Sequence, residues 1–363
     1  MLQAKELLFY TLVALYFLVL SVVAHTTPIS PSEAYQFYQD DFSVTAFLMH
    51  IGQNTLAGEI GFRLPFILMG ILNSFLFYTI SRKLFIRKND AVLALGIYLL
   101  LPGVIASTIL ASDAMIISTL ILTFIYLHIK HYSSLSVIPL FVLMFVHWSA
   151  SFLYLILVIY ALIKKEKVLL LVSMLLLLVY FAIGVVIPEE STKSYFFELL
   201  GVYATIFSPL VFIYFFYAGY KTLFGGERDI IWYVSFLAFA LSLLFSLDEK
   251  VRIADFSSYT MIGIIVAVRS YSSSLRVRLK QFQRGYNIMF AVVISSLVVS
   301  ASSLLLHQPI YKFVGKDRYP IVAPIYEPYD LSLELKSKGA NCIDSINERV
   351  YYQMKYYGIE KCS

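Results

Sequence analysis

Charge is scarce in this 363-residue sequence: Asp, Glu, Lys and Arg make up 14% of it, against about 25% in an ordinary soluble domain. That deficit excludes an ordinary soluble enzyme. Polar filler is missing too. With 29 Phe, 28 Tyr and a mean hydropathy of +0.78, the chain has too little polar surface to remain a solvated, disordered coil. Cysteine is nearly absent, the only two being Cys342 and Cys362 close to the end. No internal repeat, heptad pattern or low-complexity tract organises the chain. The basic residues show no nucleic-acid footprint, so the formal charge of +5 reads first as a topology signal.

What the sequence does have is blocks of roughly 16 to 24 apolar residues separated by short polar breaks, the length that crosses about 30 Å of hydrocarbon at 1.5 Å per residue. The fold class expected is an all-α polytopic membrane protein with about eleven transmembrane helices, near 8–24, 61–80, 91–107, 114–129, 135–147, 151–163, 168–187, 199–219, 230–246, 257–268 and 288–306. The pair 135–147 and 151–163 has a rival reading as one long helix. Basic residues arbitrate: with a cytoplasmic N-terminus and an outer turn at 147–151, the inner loops hold 16 of the 28 Lys and Arg residues. Merging the pair would push Lys221, Arg228 and the basic stretch 269–284 to the outside. Lys5 before an apolar run resembles a signal peptide, but Val22-Val23-Ala24-His25 makes a weak cleavage site, so the first span reads as retained.

On this topology the chain divides into a transmembrane domain, 1–306, and a small extracytoplasmic domain, 307–363, where Lys, Asp, Glu, Tyr and Pro replace Leu and Phe. Outside a bacterial inner membrane the compartment is oxidising, so a Cys342–Cys362 disulfide is preferred over two buried free thiols. The tail's tyrosines are expected either to cap an outer cavity and influence acceptor choice or to form that domain's own core. Residues 44–57 carry apolar side chains at helical spacing and are too short to span, which fits an amphipathic helix lying in the interface.

Ionisable groups near a membrane are costly, so their placement points to chemistry. The first outer loop, 25–60, holds Glu33, Asp40, Asp41 and Glu59 with no Lys or Arg, and Arg63 opens the next helix. Asp113 stands at the next outer turn, and a third cluster surrounds Arg252. The plain alternative for such charges is a solvated loop.

These residues carry a resemblance. Ser32-Glu33-Ala34-Tyr35-Gln36-Phe37-Tyr38, then Gly58-Glu59-Ile60-Gly61-Phe62-Arg63-Leu64-Pro65, Gly70 and Ser81-Arg82-Lys83-Leu84-Phe85, then Leu110-Ala111-Ser112-Asp113-Ala114 resemble, in order and spacing, motifs of GT-C glycosyltransferases of the protein O-mannosyltransferase and aminoarabinose-transferase type. The likeness covers roughly 25–130. Beyond it, His147 and Arg252 lie near two further family segments. Three departures are plain: Ser32 stands where the family has the first acid of its Asp-Glu pair, Phe42-Ser43-Val44 replaces its His-Pro-Pro, and His147 stands where a lysine is usual.

The resemblance implies transfer of a sugar from a polyprenyl-phosphate donor to a hydroxyl on a lipid, glycan or protein at the outer leaflet of the bacterial inner membrane. Inverting displacement needs a carboxylate base for the acceptor and polar groups for the departing phosphate. The candidate acids are Glu33, Asp40, Asp41 and Asp113. Arg63, His147 and Arg252 are candidate donor-phosphate ligands, with His147 alternatively a helix-end residue bonded to backbone. A divalent metal, Mg or Mn, is a candidate cofactor with Asp113 as ligand. Rival readings are a lipid-linked glycan transporter or flippase, and an O-antigen polymerase-like protein.

Overall fold

The computed structural model describes residues 2–39, 43–183, 195–247, 254–314, 323–340, 342–343 and 347–362. Among these the architecture is all-α, apart from a two-residue parallel bridge pairing Cys342–Ile343 with Glu360–Lys361. The bridge lies beside the Cys342–Cys362 disulfide.

Two compact units emerge: Met1–Met69 with Ala106–Ser112 and Ser302–Ser363, and Gly70–Ile105 with Asp113–Ala301. The tail from 307 thus belongs to the same compact unit as the N-terminal residues.

In the first unit, Leu2–Thr26 leads into the short helices Pro31–Tyr38 and Val44–Thr55 and the start of Glu59–Leu84. Pro31–Tyr38 starts where Ser30 and Glu33 form a capping box behind Pro31, three signals that each favour a helix N-terminus. Val44–Thr55 occupies the stretch expected to be amphipathic, with Met49 and Gly52 buried and Phe47 and Ile51 exposed. Its turn into Glu59 is possible only because Gly61 lacks a side chain: a Cβ there would stand 1.7 Å from the Leu56 carbonyl oxygen. Pro31–Tyr38 then packs on the C-terminal helix Glu348–Tyr356. Tyr38 stacks on Tyr352, and Phe37 lies edge-on to Tyr356.

In the second unit the remaining expected spans are mostly helical where described, but several are not straight. Lys88–Leu100 and Pro102–Ile109 meet at 60° because Pro102 has no N–H to continue the ladder. Phe196–Phe207 and Pro209–Gly225 meet at 104°. Here Ser208, directly before a proline, takes φ 74° and ψ 141°, a conformation unusual for a residue with a side chain, and its hydroxyl bonds Ser296 at 2.9 Å. The expected span 257–268 is two helices, Ala254–Met261 and Ile264–Val277. Between Ser133–Val146 and Ala150–Lys164, His147 is extended at φ −156°, which excludes a single helix over 135–163.

By length and composition, Phe9–Thr26, Glu59–Leu84 and Lys280–Leu305 suffice to cross a membrane, five segments if each bent pair counts as one. The other apolar helices described have 10–17 residues, shorter than the roughly 20 of a straight full crossing. The outward faces suit lipid: Leu171, Leu175 and Leu178 on one helix are each more than 60% exposed.

Candidate functional site

The first unit is organised around Glu33 and Arg63, neither with any solvent exposure. The capping box directs Glu33 inward. Its Oε2 accepts from Ser30 N at 2.8 Å and Arg63 Nη2 at 2.7 Å, while Oε1 accepts from Arg63 Nε at 2.8 Å and Ala111 N at 2.7 Å. Arg63 gives its other hydrogens to the carbonyls of Ala24 and Thr27, both at 2.6 Å, and Pro28 at 3.0 Å. A carboxylate has about four acceptor sites and a guanidinium five donors, and all are used.

This arrangement corrects two expectations. Glu33 has no lone pair left for an acceptor proton, and Arg63 has no hydrogen left for a phosphate, so both act as a structural clasp joining the first helix, the first loop, the second long helix and Ala111.

The remaining expected residues are dispersed. Asp40, Asp41 and Arg252 lie outside the described residues. Asp113 begins Asp113–Ile129 in the second unit, where a carboxylate complements the positive end of the helix. His147 lies at the end of Ser133–Val146, where Nδ1 accepts from Ser149 N at 3.1 Å, and the Ser149 hydroxyl, 3.0 Å from Nδ1, is itself 3.0 Å from the Tyr259 hydroxyl. Its Nδ1 is thereby committed to the turn. Among the described residues no three His, Cys, Asp or Glu side chains gather to hold a metal, and no step is assigned to one.

The clasp does position a cavity in the first unit. By holding the carbonyls of Thr27 and Pro28 it fixes the segment His25–Pro28, one wall of a space of about 640 Å³. Glu59 forms part of the rim, and Gln308, Tyr311, Lys312, Tyr326, Tyr329 and Asp330 supply the rest. Thr27 also meets His307 Nε2 at 3.2 Å, and Ile29 donates to the Tyr357 hydroxyl at 3.0 Å while its carbonyl accepts from Gln353, so the tail is fastened to this wall at three points.

Tyr311 and Tyr326 stack at 4.6 Å, and the Tyr311 hydroxyl donates to Asp330 at 3.3 Å. Burial, with Asp330 beside it, pushes Tyr311 up to about 12, so it remains a phenol at neutral pH. The Tyr326 hydroxyl is buried with no partner among the described residues. Aromatic faces, two carboxylates and one ammonium are suited to a polyhydroxylated ligand carrying an anionic group. Sequence reasoning grouped Glu59 with the acidic loop and assigned the tail's tyrosines to an outer cavity, but it did not single out Gln308, Lys312 or Asp330. Nothing in local spacing connects residues some 270 positions from Glu59.

The whole chain is similar in fold to ArnT from Cupriavidus metallidurans. The similarity holds in the apo state, with TM-score 0.61 and 14% identity over 97% of this chain and 84% of that one. It holds equally for ArnT bound to undecaprenyl phosphate, with TM-score 0.61 and 13% identity over 97% and 85%. The likeness in fold extends far beyond the 25–130 segment that carries the motifs. No protein-family profile and no curated protein sequence matches the chain.

Proposed function

We propose that the protein is a membrane glycosyltransferase of the GT-C kind, transferring a sugar from a polyprenyl-phosphate donor to a hydroxyl of a lipid, glycan or protein at the outer leaflet of a bacterial inner membrane. The observation that carries this reading is a fold shared over 97% of the chain with ArnT, which has been seen bound to undecaprenyl phosphate. The cavity walled by Glu59, Lys312, Asp330 and the stacked tyrosines supports it.

In the reaction, an acceptor oxygen forms a bond to the anomeric carbon as that carbon's bond to the phosphate oxygen breaks. A carboxylate takes the acceptor's proton, and the lipid phosphate leaves as an anion. With Glu33 committed to the clasp, the base falls to Asp40, Asp41, Asp113 or Glu59. Lys312 is the cavity's own cation for the departing phosphate, with Arg252 retained as a second candidate.

The test is transfer from polyprenyl-phosphate sugars by the full chain in nanodiscs, comparing Asp40→Asn, Asp41→Asn, Asp113→Asn and Glu59→Gln. One of the four is expected to lose about 10²–10⁴ in turnover while still binding donor. Parent-rate transfer by all four would defeat the reading.

The two proline-broken helix pairs favour a transporter as the second reading, since broken helices line many transport sites. Translocation of a lipid-linked glycan in proteoliposomes with no transfer product would select it.

A further inference from the structure

The second unit contains a larger cavity, about 1030 Å³, with a different composition. Lys164 reaches it from the end of Ala150–Lys164, Lys221 from Pro209–Gly225, Arg228 from the following loop and Arg269 from Ile264–Val277. Two carboxylates, Glu227 and Asp229, also line it. Asp229 is engaged twice: Oδ1 caps the next helix at Trp232 N, 3.1 Å away, and Oδ2 accepts from Arg269 Nη2 at 2.5 Å. Asp229 thus orients Arg269 and offsets its charge, and the four cations still outnumber the two carboxylates. Lys221 donates to Ser274, whereas Lys164 and Arg228 make no hydrogen bond or ion pair among the described residues.

Two buried donors on the same wall are unanswered. Tyr233 is 3% exposed, and its hydroxyl has no partner among the described residues; Arg269 Nε is buried and equally unpaired. Tyr233 opens a π turn, Tyr233–Leu237, inserted in the apolar helix Ile230–Phe245, and such turns often occur at functional sites. A buried donor without an acceptor is costly, and an acceptor entering the cavity would recover that loss. An anion with several oxygens satisfies both donors and the surrounding cations together.

The rest of the wall indicates what carries that anion. Leu84, Tyr160 and Ile163 add apolar surface at the ends of apolar helices, and Lys164, Lys221, Arg228 and Arg269 all lie in or beside loops that the charge distribution assigns to the inner side. Cationic pockets between helices at that level suit lipid phosphates, and the apolar edge suits the attached chain.

We propose that this cavity binds a phosphate group, presented by the headgroup of an anionic membrane lipid and received by Arg269, Tyr233, Arg228 and Lys221. The proposal does not depend on the glycosyltransferase reading. Its test uses the delipidated full chain, titrated with phosphatidylglycerol, phosphatidylcholine and inorganic phosphate and read by native mass spectrometry. Phosphatidylglycerol is expected to bind about tenfold or more tighter than phosphatidylcholine, and the Lys221→Gln, Arg228→Gln double variant to erase most of that preference. Tyr233→Phe, which keeps the ring packing, should weaken phosphatidylglycerol severalfold at an unchanged unfolding temperature. Displacement of the lipid by equimolar inorganic phosphate would overturn the lipid assignment in favour of free phosphate. Equal binding of both lipids, or variants that bind like the parent, would overturn the site itself.

Discussion

The two units each hold an Arg–carboxylate pair, and the two pairs differ in almost every other respect. Arg63 and Glu33 have no exposure, and every donor and acceptor they own is used inside the protein. Arg269 and Asp229 retain 30% and 23% side-chain exposure, and Arg269, which lines a cavity with other cations, keeps a buried Nε without a partner among the described residues. The first pair stabilises a framework; the second leaves capacity for a ligand. Charge type and sequence position do not separate these roles. Counting unused donors does.

The strongest way to break this comparison is to remove a member of the first pair. Arg63→Ala leaves the buried Glu33 carboxylate without its counter-charge, held only by the Ser30 and Ala111 amides, and takes the donor from three carbonyls, a loss of about 3–5 kcal/mol. Arg63→Lys should rescue only part, because an ammonium has three donors where five are needed. Unfolding temperature in detergent is the readout. Glu33→Gln sharpens the point: a clasp residue loses folded protein, whereas a catalytic base would give a well-folded, inactive one. A Glu33→Gln protein with parent stability and no transfer would restore the catalytic role.

The next effect concerns how the first unit is fastened at its end. The Cys342–Cys362 disulfide closes a 20-residue sequence separation, for which chain entropy gives about 3 kcal/mol. Cys342→Ser should lower the unfolding temperature of the first unit and abolish the response to reductant, while phosphatidylglycerol binding by the second unit stays unchanged. If binding falls as well, the two regions are not independent.

The helices were legible because apolar block length is a one-dimensional property, and each of the eleven expected segments is mostly helical where described. The bends were not, although Pro102 and Pro209 mark both of them, since a proline inside an apolar run fits a kinked span as well as a broken one. At the site, the ordered motifs drew attention to Glu33 and Arg63 but not to the bonds between them. Their role depends on Ala24, Thr27, Pro28 and Ala111 offering backbone groups, and backbone leaves no trace in residue identity. His147 shows the same limit, being held by its own turn. The Cys342–Cys362 pairing was accessible because only two cysteines exist. The cavity residues Lys312 and Asp330 were hidden by their sequence distance from Glu59.

A smaller effect is expected at the second pair. Arg269→Gln removes a partly exposed ion pair, worth about 1 kcal/mol or less after solvent screening, and relieves an unpaired Nε. Its unfolding temperature should therefore move far less than that of Arg63→Ala, even though both substitutions delete an arginine bonded to a carboxylate. A collapse of Arg269→Gln comparable with Arg63→Ala would remove the distinction between framework and ligand-receptive pairs.

The smallest expected effect tests whether the clasp's charge is felt by its neighbours. His307 is buried, with Nε2 against Thr27 and Nδ1 at 2.6 Å from the Leu304 carbonyl. Burial first, and the Arg63 charge in addition, hold its pKa below the usual histidine value of 6.5, although the Leu304 carbonyl opposes the shift. The folded protein thus binds this proton less readily than the unfolded chain. Above pH 6.5 both states are neutral at this position and nothing is lost. As pH falls through 6.5 towards the lower folded value, the unfolded state takes up the proton first and stability declines. Unfolding temperature measured from pH 7.5 to 5 should accordingly fall in the parent and fall less in His307→Gln, which keeps polarity without a titrating ring. Identical slopes in the two proteins would show that neither burial nor the arginine reaches His307, and would weaken the view that the clasp's influence extends along the wall of the Glu59–Asp330 cavity.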